Sequence, residues 1–110
     1  MPGERDGFDA SVSVDAGRPV VVVRGEVDVV TADRLRIALR EALAVGGPVE
    51  VDLRNATFMD ARGVRALMEA YEEGGHEPGR IVLRDPQPAV RRVLGIVGVT
   101  SFMPLRESSG

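Results

Sequence analysis

Apolar side chains at Phe8, Ala10, Val12 and Val14 alternate with Asp9, Ser11, Ser13 and Asp15, the two-residue period of a strand that buries one face and wets the other. Such a strand suits a sheet edge. Ala16, Gly17, Arg18 and Pro19 supply a turn, and the β-branched run at 20–23 ending in Arg24 predicts a hairpin leading into a buried strand, which Gly25 is expected to stop. The period then changes. Leu35, Ala38, Leu39, Ala42 and Leu43 fall on one face of a helix that Thr31 can N-cap, with Asp33 in its first turn favouring the dipole; Gly46, Gly47 and Pro48 end it. Val49, Val51 and Leu53 form the next strand.

The same grammar repeats twice more. Val64, Leu67, Met68 and Tyr71 make a helical stripe closed by Gly74 and Gly75. Ile81, Val82 and Leu83 make a short strand between Arg80 and Arg84, and Pro86 and Pro88 open a third helix with Val90, Val93, Leu94 and Val97 inward and Gly98 at its end. Residues 102–105 are expected to add a last short strand, although Pro104 removes a ladder donor. The order β, β, α, β, α, β, α, β with short connections predicts an α/β fold: a mostly parallel four- to five-stranded sheet joined by right-handed helical crossovers, with an antiparallel N-terminal edge strand. One domain over residues 8–106 accounts for the pattern, leaving 1–7 and 107–110 as flexible ends.

Composition narrows the function classes. The chain has 110 residues, enough to bury roughly two thirds of its unfolded surface in one core. Its net charge of −3 offers no general footprint for nucleic acid. It has no cysteine, which excludes disulfides, thiolate metal sites and thiol catalysis. All 14 basic residues are arginine, so lysine Schiff-base and lysine general-base chemistry are absent too. The N-terminus lacks an apolar signal core, and the longest apolar run is too short to cross a bilayer; a cytoplasmic location without membrane insertion is expected. His76, the sole histidine, sits in a Gly-rich loop without a second ligand near it, so it reads as a surface residue and no metal or cofactor is expected. No nucleophile elbow, phosphate loop or dinucleotide fingerprint is present, so the chain is not expected to be an enzyme.

The segment Val49 to Val64, VEVDLRNATFMDARGV, concentrates what chemistry remains. An apolar strand runs through a short turn into a helix start at Asp60, whose carboxylate can cap free N–H groups and suits the positive end of the helix dipole. Arg62 places a cation in the same turn, against the dipole by a few tenths of a kcal/mol. Met59, Met68 and Met103 suit core gaps, and Phe58 with Met59 also suits an apolar contact patch. Asp60 is read as both cap and contact residue. Asp28 either holds its own loop through a backbone bond or faces a partner.

The Met59, Asp60, Ala61, Arg62, Gly63 turn resembles the phosphorylation turn of the STAS domain, the fold of bacterial anti-sigma-factor antagonists. So does the Gly25, Glu26, Val27, Asp28 segment followed by Thr31, and so does the Asp85 to Gly98 segment, DPQPAVRRVLGIVG. Together they span about Val20 to Leu105, nearly the whole domain. The resemblance implies a protein that binds an anti-sigma factor, itself a GHKL-type serine kinase, and so regulates sigma-factor-dependent transcription by partner switching. It also implies a partner-binding surface at Gly25, Glu26, Asp28, Thr31, Met59, Asp60, Ala61, Arg62 and Gly63. The position that aligns with the family's phosphoacceptor serine is Ala61, which has no hydroxyl, so no phosphorylation is expected there. An alternative is a ligand-sensing or scaffold STAS module that binds a small anion, a nucleotide or an ATPase partner near Arg62. A homodimer and a multi-STAS complex stay open.

Overall fold

The computed structural model describes residues 7–108. They form β1 (Asp9–Asp15), β2 (Arg18–Val27), α1 (Ala32–Val45), β3 (Val49–Met59), α2 (Ala61–Glu73), β4 (Ile81–Arg84), α3 (Pro88–Val97), a 3-10 turn at Val99–Ser101 and β5 (Leu105–Arg106). The five strands lie side by side in chain order, β1 antiparallel to β2 and every later pair parallel. The expected α/β architecture is the observed one. Of the two expected ends, residues 1–6 and 109–110 lie outside the described residues, while Glu107 pairs with Arg91 and Ser108 binds Asp85.

Every crossover steps one strand in the same direction, and right-handed connections of that kind put all the helices on one face. The core follows from it. Val21 and Val23, then Val49, Val51 and Leu53, then Ile81 and Leu83 pack against Leu35, Leu39, Leu67, Val90 and Leu94 in a single cluster. The alternate strand residues point to the uncovered face. There Glu50 is only 5% exposed, and Arg84 and Arg106 both bond its carboxylate. Two guanidiniums offset the cost of burying one charge.

Three expected details differ. Gly25 does not stop β2: with φ at 90° it bends the strand, and the register against β3 shifts between Val22 and Arg24 and again between Gly25 and Glu26. A Cβ at Gly25 would sit 2.8 Å from the Gly7 carbonyl oxygen, so the bend needs glycine, while the extra residues at both shifts belong to β3. The last strand is shorter and later than residues 102–105. Pro104 has no N–H, so it contributes only its carbonyl, to the Leu83 N–H at 2.9 Å, and pairing proper starts at Leu105. Phe102 instead packs its ring on Tyr71, 4.5 Å between centroids. Finally, Val97 was expected inward and is exposed, because it sits in the last turn of α3, where the chain leaves through the left-handed Gly98.

Candidate functional site

The two loops at the C-terminal ends of β2 and β3 meet because their strands are parallel neighbours. Val27 pairs with Met59, and the Asp60 N–H donates to the Val27 carbonyl at 3.1 Å. Residue 28 and residue 60 therefore leave the sheet side by side. The two extra residues that β3 takes at its register shifts against β2 bring Met59 level with Val27, and with it Asp60 level with Asp28.

Each loop is closed by its own aspartate. The Asp28 carboxylate accepts from the Val30 N–H at 2.9 Å and the Thr31 N–H at 3.3 Å, and the Asp28 carbonyl accepts from Ala32 at 2.8 Å. The expected Thr31 side-chain cap is not formed. Thr31 is fully buried, and its helical backbone turns Oγ1 back to the strand, where it donates to the Glu26 carbonyl at 2.7 Å and accepts from the Asp28 N–H at 3.0 Å. Asp28 caps in its place. In the second loop Asp60 caps as expected: its carboxylate accepts from the Arg62 N–H at 2.8 Å, and its carbonyl accepts from Gly63 and Val64.

These bonds sort the sequence candidates into supports and surface. Thr31, Met59 and Gly63 are buried beneath the site and position it, Gly25 is half-buried at the bend of β2, and Asp28 is nearly covered. Glu26, Ala61 and Arg62 are exposed, and Asp60 is half-exposed between them. Phe58 is exposed and Met59 buried, so only the first of that pair is available as an apolar contact. A Cβ on Gly63 would lie 2.6 Å from Met59 Cγ and 2.7 Å from Val27 Cγ1, so glycine lets the first turn of α2 sit directly on the strand ends.

Between the starts of α1 and α2 runs an open groove of about 530 Å³ lined by Val29, Ala32, Asp33, Arg36, Ala61, Arg62 and Arg65. Val29, Ala32, Asp33, Arg36 and Arg65 are not among the site candidates of the sequence. Arg65 had a signal, its i,i+3 spacing from Arg62 on one helix face; Val29 and Arg36 had none, because only the packing of α1 on α2 brings them here. Arg36 binds Asp33 and, at 2.6 Å, Glu69. The Glu69 bond is the main cause of its raised pKa, with Asp33 and Glu73 adding to it. No group of three or more potential metal ligands exists among the described residues. Nor is any described helix long and apolar enough to cross a membrane. His76 is exposed and lies in the loop after α2, outside the groove lining.

Known proteins share this fold. The family model described as Mlab, STAS domain matches residues 10–106. The anti-sigma F factor antagonist of Paenibacillus polymyxa is 28% identical over 105 residues, covering 92% of this chain and 90% of the relative. The crystal structure of an anti-sigma factor antagonist from Mycobacterium paratuberculosis superposes with a TM-score of 0.80 at 31% identity, over 96% of this chain and 87% of the other. The unphosphorylated anti-sigma factor antagonist SpoIIAA has the same fold, with a TM-score of 0.76 at 20% identity over 92% and 89% of the two chains.

Proposed function

The chain belongs to the STAS domain family, and from that premise we propose that it is a non-enzymatic anti-sigma factor antagonist that docks on a GHKL-type serine kinase. Docking uses the surface formed by loop 25–31 and turn 59–63, and phosphorylation at the usual position of the turn does not control it. One observation carries the reading: the Asp60 N–H to Val27 carbonyl bond, which joins the two loops into a single surface.

The argument about the switch is chemical. A phosphate at the first residue of a helix is stabilised by free N–H groups and the dipole, and its charge of about −1.5 to −2 changes what the surface repels. Ala61 occupies that first position and is exposed, so a kinase can reach the residue but finds no hydroxyl. Docking is therefore permanent with respect to this site.

The test incubates the protein with each GHKL-type serine kinase of its own organism and ATP, then reads intact mass and complex formation together. Wild type should bind one kinase and keep its mass, while Ala61→Ser should gain a single phosphate and lose affinity. A stoichiometric phosphate on wild type that releases the kinase sinks the unswitched form of the proposal. Failure of every such kinase to bind sinks the partner.

A further inference from the structure

The groove between α1 and α2 is basic in a chain whose net charge is −3. Arg36 is already neutralised by Asp33 and Glu69. Among the described residues, the guanidiniums of Arg62 and Arg65 make no hydrogen bond or ion pair. Two like charges three residues apart repel by a few tenths of a kcal/mol, and the first turn of a helix disfavours cations by a similar amount. No hydrogen bond or ion pair among the described residues relieves either cost.

A second, apolar groove of about 250 Å³ adjoins the first, lined by Ala61, Val64, Arg65, Met68 and Val97. Ala61 and Arg65 line both grooves and form the ridge between them. The exposure of Val97 is part of this surface: its side chain forms one wall of the apolar trough. A hydroxyl or phosphate at position 61 would stand on the ridge, whereas a methyl group lets one ligand span both sides.

We propose, resting on the docking reading above, that the twin grooves receive a partner segment with acidic side chains beside an aliphatic one. The acids lie against Arg62 and Arg65, and the aliphatic group packs on Val64, Met68 and Val97. Charge complementarity selects the occupant, because unpaired guanidiniums bind carboxylates in a planar, two-bond geometry. The apolar trough adds the hydrophobic anchor that charge alone lacks.

The experiment follows amide shifts of the full chain by NMR at low salt as three acetylated hexapeptides are added: Glu-Leu-Glu-Glu-Leu-Glu, hexaglutamate and hexalysine. The mixed peptide should shift residues 29–36 and 61–68 together with Val97, and bind at least about threefold more tightly than hexaglutamate. Hexalysine should do nothing. Arg62→Glu with Arg65→Glu should weaken the mixed peptide by roughly tenfold or more, and the paired Gln variants by less, with folding checked by the remaining amide shifts. Four results overturn the proposal: no shift at millimolar peptide, shifts spread equally over Arg18, Arg24 and Arg92, unchanged binding in the Glu pair, or saturation by ATP or inorganic phosphate where the peptide fails. Equal binding of hexaglutamate overturns the aliphatic half. If no GHKL kinase binds while the mixed peptide does, the kinase reading fails and the acidic-segment groove stands.

Discussion

Replacing Gly63 by alanine probes the contact that seats the turn of α2 on the sheet. The new Cβ would meet Met59 Cγ at 2.6 Å, Val27 Cγ1 at 2.7 Å and Met59 Sδ at 3.2 Å, whereas carbon atoms rest at about 3.5–4.0 Å. Each neighbour would have to retreat by roughly 1 Å. Neither has room: Val27 is fully buried and short, and Met59 is 2% exposed at a strand end. Overpacking of this kind costs about 1–3 kcal/mol. Alanine returns at most about 1 kcal/mol of helix propensity, and less in a first turn. The net loss is about 1–2 kcal/mol, or roughly 5–10 °C in Tm for a domain of this size. Gly95 is the matched control. It sits in α3, is exposed, and a Cβ there meets nothing within 4 Å, so Gly95→Ala should stabilise by about 0.5–1 kcal/mol. Urea and thermal unfolding of the two variants should move in opposite directions. If Gly63→Ala matches or exceeds wild-type stability, the close seating of α2 is wrong, and with it the account of how the two loops are held together.

Thr31→Val keeps the shape but orphans the Asp28 N–H and the Glu26 carbonyl that Oγ1 now satisfies at 3.0 and 2.7 Å, so urea unfolding should show a loss of about 1–3 kcal/mol that Thr31→Ser largely recovers. Asp60→Ala removes the acceptor of the Arg62 N–H and should cost about 1 kcal/mol, with Asp60→Asn close to wild type; equal stability of all three would remove the cap from the argument. Asp85 is held by the Ser108 hydroxyl and N–H, both at 2.6 Å, and by Arg54 at 2.9 Å. These bonds, the Ser108 hydroxyl foremost, push its carboxyl well below the usual carboxylate range. The folded pKa lies under the unfolded one, so this latch is intact above about pH 4 and is lost as pH falls from there through the lower folded value. The Ser108 amide shift should accordingly titrate below the ordinary carboxylate range and cease to titrate there in Asp85→Asn; a midpoint near pH 4 in wild type would contradict the latch.

Periodicity alone placed the strands and helices, since the two-residue and 3.6-residue patterns report which side of each element is dry, and short connections with a fixed crossover hand leave few ways to order them. The Asp60 cap was readable for the same reason, being a bond between residues two apart. The strand end expected at Gly25 is a bend instead, because a glycine in a strand looks identical in sequence whether it ends the strand or bends it. Only the approach of the Gly7 carbonyl and the slipped register against β3 choose the bend. Thr31 does not cap its helix because the competitor for its hydroxyl, the Glu26 carbonyl, belongs to the preceding strand rather than to its own helix. The same limit hid the grooves: Val29, Arg36 and Val97 are distant from Ala61 in the chain, and only helix packing brings them to it. Local hydrogen bonds and burial periods are written into neighbouring residues, so the chain alone determined the fold and the Asp60 cap. The shape and charge of the surface depend on which distant side chains become neighbours, and only the tertiary structure decided that.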